Sequence, residues 1–179
     1  MRVFDNTEEL ILFLAELGGL PSAEGLAFSE LDHGLQSAAR VAEKDPHDEE
    51  LHVAALVHDL AHPWDAPGQP RHALMAADAV RALLGERVAR LVAGYVPAKR
   101  WLVTCEPAYR VNLSADSIAT LVVQGGVMTA EEVAWFESLA DWHAMVLLRR
   151  ADDAAKVPGA EVPDLDTWIG AIRRVAARV

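Results

Sequence analysis

Hydrophobic residues recur at intervals of three and four along most of the chain, the spacing that places them on one face of an α-helix. The first such stretch follows Asn6, a helix-capping residue, and ends at Gly18-Gly19. Its apolar positions are Leu10, Ile11, Phe13, Leu14 and Leu17. Stretches with the alternating pattern of β-strands are scarce. The pattern predicts an all-α protein, a helical bundle in a single domain over residues 1–179.

Seven further helices are predicted from the same periodicity and from the capping, glycine and proline residues that start or end each stretch. They span residues 29–43, 45–62, 72–84, 86–92, 114–123, 129–149 and 166–178. In the second of these, Asp45 is the expected N-cap and Pro46 the first helical residue. Pro97 and Pro107 interrupt the pattern between residues 96 and 112, where we expect a loop with some helical turns. Residues 158–163 are predicted as a linker within the domain.

The length and composition of the chain indicate a folded protein with a hydrophobic core and without a membrane span. A chain of 179 residues, 52% of them hydrophobic, is long and apolar enough to fold around a core without disulfides. No apolar run reaches the roughly 18–20 residues of a membrane span, and acidic residues flank the apolar residues 10–14, unlike a signal peptide. The single Cys105 cannot form an internal disulfide, which suits a cytoplasmic protein.

The chain is strongly acidic, with a formal net charge of −11. Binding to nucleic acid requires a basic face for the phosphates, so we expect no nucleic-acid partner. A small anionic substrate is compatible with this charge, because a buried cationic pocket can coexist with an acidic exterior.

The helix predicted over residues 45–62 carries the most informative pattern. Positions 51, 55, 58, 59 and 62 share one helical face, on which His58, Asp59 and His62 continue an apolar stripe. Burying an unpaired carboxylate costs roughly several kcal/mol, so Asp59 needs a cation or strong hydrogen-bond donors. A metal ion bound by the adjacent histidine and carboxylate meets that need.

Residues on other segments extend this candidate metal site. His33 lies near the apolar side of the preceding helix, and His72 begins the following one. Asp152 and Asp153 are two candidates for one late carboxylate ligand, of which Asp152 is the better match. A lone buried histidine is more often a core residue, but this combination predicts a transition-metal site. Imidazole and carboxylate ligands suit iron or manganese, and the lack of a cysteine ligand argues against a structural zinc.

Three other histidines are expected outside the site. His47 and His52 are predicted to face solvent, and His143 to pack near Trp142 or lie at the surface.

The residues of this site carry a family resemblance. Segments 31–36 and 54–62, together with Asp152, resemble the H…HD…D pattern of the HD superfamily. Segments 97–103, 112–114 and 124–128 resemble the branch that contains myo-inositol oxygenase and the oxygenases that cleave 1-hydroxyphosphonates. Within that branch, the likeness is to the glycine-forming 2-amino-1-hydroxyethylphosphonate dioxygenases. It covers about residues 29–156.

The resemblance implies a role for each matched residue. The ligands of a first iron would be His33, His58, Asp59 and Asp152, with Asp59 bridging to a second iron that His72 binds. Lys99 would sit near the phosphonate or carboxylate of the substrate, and His62 on the substrate side of the centre. Gln124, Gly125 and Gly126 would contact substrate, although a plain glycine turn is the alternative. The implied chemistry is O₂ activation at a mixed-valent di-iron centre, hydrogen abstraction from the carbinol carbon and oxygen insertion.

The sequence departs from the family at two places. Tyr95 stands where the family has a second histidine ligand for the second iron, and a phenolate suits Fe(III) better than Fe(II). We therefore expect either a phenolate ligand at Tyr95 or an incompletely occupied second site. Upstream, where the family has a tyrosine and a Gly-Glu pair that contact substrate, this chain has residues 23–26, in which Glu24 would serve only with shifted spacing.

The leading functional prediction is an HD-domain oxygenase with one or two iron ions, or manganese, whose partners are O₂ and a small anionic hydroxylated substrate such as a 1-hydroxyphosphonate. The first alternative is an HD phosphohydrolase, in which the metal activates water against a phosphate ester. The second is a non-catalytic binding or regulatory module that keeps one structural metal, which the loss of a ligand at Tyr95 would favour. The sequence does not determine the oligomeric state.

Overall fold

The structure is a computed structural model and describes residues 2–22, 27–64 and 71–179, without the side chains of residues 115 and 116. Within these ranges the chain forms nine α-helices. They are α1 (Thr7–Leu17), α2 (Glu30–Lys44), α3 (Glu49–Val57), α4 (His72–Cys105), α5 (Pro107–Val111), α6 (Ala115–Val123), α7 (Ala130–Glu137), α8 (Trp142–Ala154) and α9 (Leu165–Ala176). A 3₁₀ turn, His62–Trp64, follows α3. Apart from an isolated bridge between Pro21 and Ser29, the described residues form no β-structure, and the all-α prediction is confirmed.

Side-chain caps fix several of the predicted helix starts. The Asn6 side chain accepts a hydrogen bond from the Glu9 amide at 2.9 Å, so α1 begins as predicted. Ser29 caps α2 through a reciprocal pair of hydrogen bonds with Asp32, and Thr129 caps α7 in the same way.

The start and end of α3 differ from the prediction. The helix begins at Glu49, after Asp48, whose side chain accepts from the Leu51 amide at 3.1 Å. Asp45 instead ends α2, and its amide donates to Val41. Proline at position 46 disfavours helical geometry in Asp45, which explains why α2 ends there, and the side chain of Asp48 caps α3 instead. At its other end α3 stops at Val57, so the pair at positions 58 and 59 lies in the following turn.

The segment predicted as a loop around Pro97 is helical instead. Helix α4 continues to Cys105, with Ala98 and Leu102 fully buried against the core. Proline removes one backbone donor, and this packing maintains the helix around it. The predicted break at Gly85 is confirmed, since its φ of 88° lies in the left-handed region that glycine tolerates. The helix predicted over residues 129–149 is divided into α7 and α8.

Four helices form the centre of the bundle and position the site. Helices α2, α3, α4 and α8 pack on one another, with α1 and α9 on one side and α5 and α7 against α4. The backbones of α2 and α3 approach closely at Gly34, where an added Cβ would lie 2.5 Å from the Leu56 carbonyl oxygen. This contact brings His33 beside His58. No helix within the described ranges has the length and apolarity needed to cross a membrane.

Candidate metal centre

Five segments bring the predicted ligands to one place in the core. Helix α2 carries His33, the turn after α3 carries His58 and Asp59, the 3₁₀ turn begins with His62, α4 begins with His72, and α8 carries Asp152. The possible ligand atoms form two groups, each within 4.8 Å. We name them the inner half (His33, His58, Asp59 and Asp152) and the outer half (Asp59, His62 and His72).

The inner half has the spacing of a set of ligands around one ion. His33 Nε2 lies 3.1 Å from Asp152 Oδ1 and 3.4 Å from Asp59 Oδ2. His58 Nε2 lies 3.4 Å from the same Asp59 oxygen and 3.8 Å from Asp152 Oδ1. Metal–ligand bonds of about 2.0–2.2 Å place neighbouring ligand atoms about 3–4 Å apart, so this arrangement fits one metal ion.

Backbone carbonyls orient the two imidazoles of the inner half. His33 Nδ1 is 2.9 Å from the Ala155 carbonyl oxygen, and His58 Nδ1 is 2.8 Å from that of Ala55. Each carbonyl accepts the Nδ1 proton, which leaves Nε2 to face the two carboxylates. His58 Nε2 is buried and has no hydrogen-bond partner among the described residues. A buried nitrogen without a partner, aimed at two carboxylates, is the arrangement that a metal ion would complete.

The charges of the inner half also favour a cation. Burial raises the pKa of Asp59, but His58 and His62 outweigh that effect and hold it well below its usual value. Burial lowers the pKa of His58, but Asp59 and Asp152 outweigh it and raise the pKa to about 9. Two ionised carboxylates therefore face the imidazoles, and they attract either protons or a metal ion.

Arg149, which the sequence analysis did not identify, holds Asp152 in place. Its Nη1 is 2.7 Å from Asp152 Oδ2, and the same guanidinium contacts Asp153. Asp152 Oδ1 is thereby left to face the imidazoles of His33 and His58. The spacing of three residues between Arg149 and Asp152 on one helix was the available sequence signal.

In the outer half, two imidazoles face the other oxygen of Asp59. His62 Nε2 lies 3.7 Å and His72 Nε2 3.8 Å from Asp59 Oδ1. The two rings are in edge contact, with centroids 4.1 Å apart. Glu30, a buried residue of α2, accepts a hydrogen bond from His62 Nδ1 at 3.1 Å.

Tyr95 also reaches the outer half, where it forms hydrogen bonds. Its hydroxyl donates to Asp59 Oδ1 at 2.7 Å and lies 2.6 Å from His72 Nε2. Burial, together with Asp59 and Asp152, raises the pKa of Tyr95 well above its usual value. These contacts are those of a neutral phenol, and the role of Tyr95 as a metal ligand stays a prediction.

A cavity of about 310 Å³ opens beside the outer half. Asp59, His62, His72 and Tyr95 form one side of it, and three of the eight residues of its remaining wall are cationic. That wall consists of Lys99, Ser117, Ala119, Thr120, Gln124, Arg149, Asp152 and Lys156. Lys99 donates to Thr120 Oγ1 at 2.9 Å, and burial, followed by the charge of Arg149, lowers its pKa to about 8.

Of the other residues predicted to contact substrate, only some line this cavity. Gln124 is part of the wall, whereas Gly125 and Gly126 form a turn with φ values of 102° and 66°, whose carbonyl oxygens accept from Arg100. A substrate role for the three stays a prediction. Glu24 lies outside the described residues.

The other histidines are placed away from the centre. His47 and His143 are exposed, as predicted, and His143 stacks on Trp142. The prediction that His52 faces solvent is wrong: it is buried against Trp168, 2.6 Å from the Asp45 carbonyl oxygen, because the loop before α3 folds over it.

Known proteins resemble this chain over most of its length. It is 37% identical over 149 residues to a hydroxymethylphosphonate dioxygenase of Gimesia maris, covering 78% of this chain and 74% of that protein. It is 34% identical over 141 residues to the glycine-betaine-forming [1-hydroxy-2-(trimethylamino)ethyl]phosphonate dioxygenase of Leisingera caerulea. That alignment covers 74% of this chain and 71% of the dioxygenase. An uncharacterised mimivirus protein, L432, is 29% identical over 177 residues, covering 93% of this chain and 80% of that protein.

A search against protein-family models finds no match. The two dioxygenases exceed 30% identity and are covered over more than two thirds of their length, and both belong to the branch that the motifs indicate. The histidine and aspartate cluster of the core consists of residues that could hold a metal ion, and it contains the motif residues on which the resemblance rests. The chain therefore belongs to the HD-domain oxygenase family that includes the phosphonate dioxygenases.

Proposed function

We propose that this protein is an iron-dependent oxygenase that cleaves a small 1-hydroxyphosphonate with O₂. One observation carries the proposal: a buried histidine–aspartate centre borders a cavity with a cationic wall. The relatives named for hydroxyphosphonates support the substrate class. We further propose that residues 1–179 form one HD domain in the cytoplasm.

The inner half would hold the first iron through His33, His58, Asp59 and Asp152. Asp59 would bridge to a second iron that His72 binds, because its two oxygens face different sets of imidazoles. When bound, iron would supply the activation of O₂ that carboxylate and imidazole ligands support. Manganese has the same ligand preferences, so loading with each metal must be compared.

The substrate's anionic group would bind at the wall that carries Lys99. The ammonium group of Lys99 is buried, and Ser117 and Thr120 lie beside it. A charged hydrogen bond from a buried ammonium to a phosphonate is stronger than a neutral one. The carbinol carbon of a bound substrate would then face the Asp59 side of the cavity, with His62 on the same side.

The experiment is O₂ uptake and phosphate release by the iron-loaded protein with a panel of phosphonates. The panel contains hydroxymethylphosphonate, 2-amino-1-hydroxyethylphosphonate and its trimethylated form. We expect phosphate release that requires O₂, and a KM at least tenfold higher for Lys99→Ala because the anion loses its charged partner. Lys44→Ala, at an exposed lysine of α2, is the matched control with unchanged KM.

Three outcomes would contradict the proposal in different ways. Phosphate release from phosphate esters without O₂ would indicate a phosphohydrolase. Substrate binding without O₂ uptake would indicate a binding module. Equal KM values for wild type and Lys99→Ala would remove Lys99 from the substrate site.

A further inference from the structure

The Asp59 carboxylate divides its two oxygens between two pairs of imidazoles. Oδ2 lies 3.4 Å from the Nε2 atoms of His33 and His58. Oδ1 lies 3.7 and 3.8 Å from the Nε2 atoms of His62 and His72. The second pair of distances is too long for hydrogen bonds but matches two ligands of one metal ion. The outer half thus repeats the ligand spacing of the inner half.

His62 is oriented in the way that metal-binding histidines usually are. A carboxylate, that of Glu30, accepts the proton of its Nδ1, and this fixes the lone pair of Nε2 on the side of Asp59. Glu30 is itself buried, so the pair is not a solvent-exposed contact. The edge contact between the rings of His62 and His72 brings both imidazoles to the same carboxylate oxygen.

Tyr95, by contrast, contacts Asp59 through a hydrogen bond from its hydroxyl group. Its proton is donated to Asp59 Oδ1, and its oxygen lies within hydrogen-bond distance of His72 Nε2. A phenol becomes a good ligand only after losing that proton, whereas a neutral imidazole coordinates without any loss. His62 is therefore chemically the better third ligand.

We propose that the outer half is a metal site whose ligands are Asp59, His62 and His72, and that Tyr95 is a hydrogen-bond partner of the bridging carboxylate. This assignment rests on the proposed function, because it takes the inner half to hold the first metal. It gives His62 a ligand role in place of the substrate-side role that the family resemblance implies. It also removes the need for a phenolate ligand at Tyr95.

The test is anaerobic loading with excess Fe(II), followed by measurement of iron per chain and by Mössbauer spectroscopy, all without substrate. We expect two irons in wild type and one in His62→Ala, with the inner iron retained. Tyr95→Phe should keep two, and oxidised wild type should lack a phenolate-to-iron absorption band. The matched control is His143→Ala, which removes an exposed histidine and should keep two.

Glu30→Gln provides a second test that leaves every ligand in place. Loss of the carboxylate that orients His62 should weaken binding of the second iron at least tenfold, with the first unchanged. This variant decides the question if His62→Ala does not fold.

The assignment is wrong if wild type binds only one iron, if His62→Ala keeps two, or if Glu30→Gln binds both as tightly as wild type. Loss of one iron in Tyr95→Phe, or a phenolate band in wild type, would also overturn it. Because these measurements use no substrate, they stand apart from the proposed activity. Two bound irons without O₂ uptake on any phosphonate would contradict the activity and support the site.

Discussion

The inner and outer halves of the candidate metal centre share Asp59, but their histidines are oriented by different kinds of contact. In the inner half, backbone carbonyls of Ala155 and Ala55 orient the histidines, and the His58 side chain is fully buried. In the outer half, the side chain of Glu30 orients His62, and the Tyr95 hydroxyl lies 2.6 Å from His72 Nε2. The His62 side chain is 19% exposed beside the cavity. Backbone atoms are fixed by helix packing, whereas side chains can change rotamer. The histidines of the inner half are therefore held more rigidly than those of the outer half, which border the cavity.

The largest effect is expected at the residue that joins the halves. In the proposed centre Asp59 is a ligand in both halves, so we predict that Asp59→Ala loses nearly all bound iron, measured by metal analysis after gel filtration. His72→Ala removes a ligand from the outer half alone and should keep one iron per chain. Unchanged iron content in Asp59→Ala would show that the two halves do not share this carboxylate as a ligand.

The next largest effect is expected on the free energy of unfolding, when the ion pair that holds Asp152 of the inner half is broken. Arg149 is buried and paired with Asp152 and Asp153, so Arg149→Gln leaves the buried Asp152 and the partly buried Asp153 without their cation. Breaking a buried ion pair in this way costs about 3 kcal/mol of unfolding free energy. Arg150→Gln removes an exposed pair with Glu106 and should cost less than about 1 kcal/mol. Urea unfolding of the metal-free variants measures both, and similar losses would contradict the role given to Arg149.

Two glycine substitutions, one beside each half, test whether the inner half depends more on close backbone packing than the outer half does. Gly34→Ala, next to His33, would press a Cβ onto the Leu56 carbonyl oxygen and should cost about 1–3 kcal/mol. Gly94→Ala, next to Tyr95, would place a Cβ 2.3 Å from the sulfur of Met145, whose flexible side chain can move. Its cost should be smaller, because a side chain can move aside whereas a helix carbonyl cannot; the roughly 0.5–1 kcal/mol by which alanine favours a helix applies at both positions. Thermal unfolding compares the two, and an equal or larger cost for Gly94→Ala would contradict this account.

The smallest expected effect is a pH dependence of KM that arises from Lys99, on the cavity side of the outer half. Burial lowers the pKa of Lys99 to about 8, so its positive charge is present below that pH and lost above it. We predict that KM for a phosphonate rises as the pH increases through 8. Lys99→Arg should flatten this rise, because a guanidinium stays protonated. A pH profile identical in the two proteins would show that another group controls anion binding.

The sequence by itself determined the fold class and most of the inner half. The three- and four-residue periodicity predicted the all-α class, and Asn6 predicted the start of α1, because these signals are local. The helices predicted from residues 29 and 129 also start as expected, although the second is divided into α7 and α8. The motif pattern identified His33, His58 and Asp152, which the structure brings together. Residues 96–112 were assigned wrongly because the packing of Ala98 and Leu102, which maintains the helix at Pro97, depends on other segments.

Only the tertiary structure decided how the side chains of the centre are paired. Glu30 and His62 are 32 residues apart, and Tyr95 and Asp59 are 36 residues apart, so no local pattern predicts their hydrogen bonds. The division of Asp59 between two sets of imidazoles follows from the turn after α3, which replaced the continuous helix that periodicity predicted. Periodicity reports which residues share a face of one element. The contacts between elements depend on how α2, α3, α4 and α8 pack, and packing is a property of the whole chain.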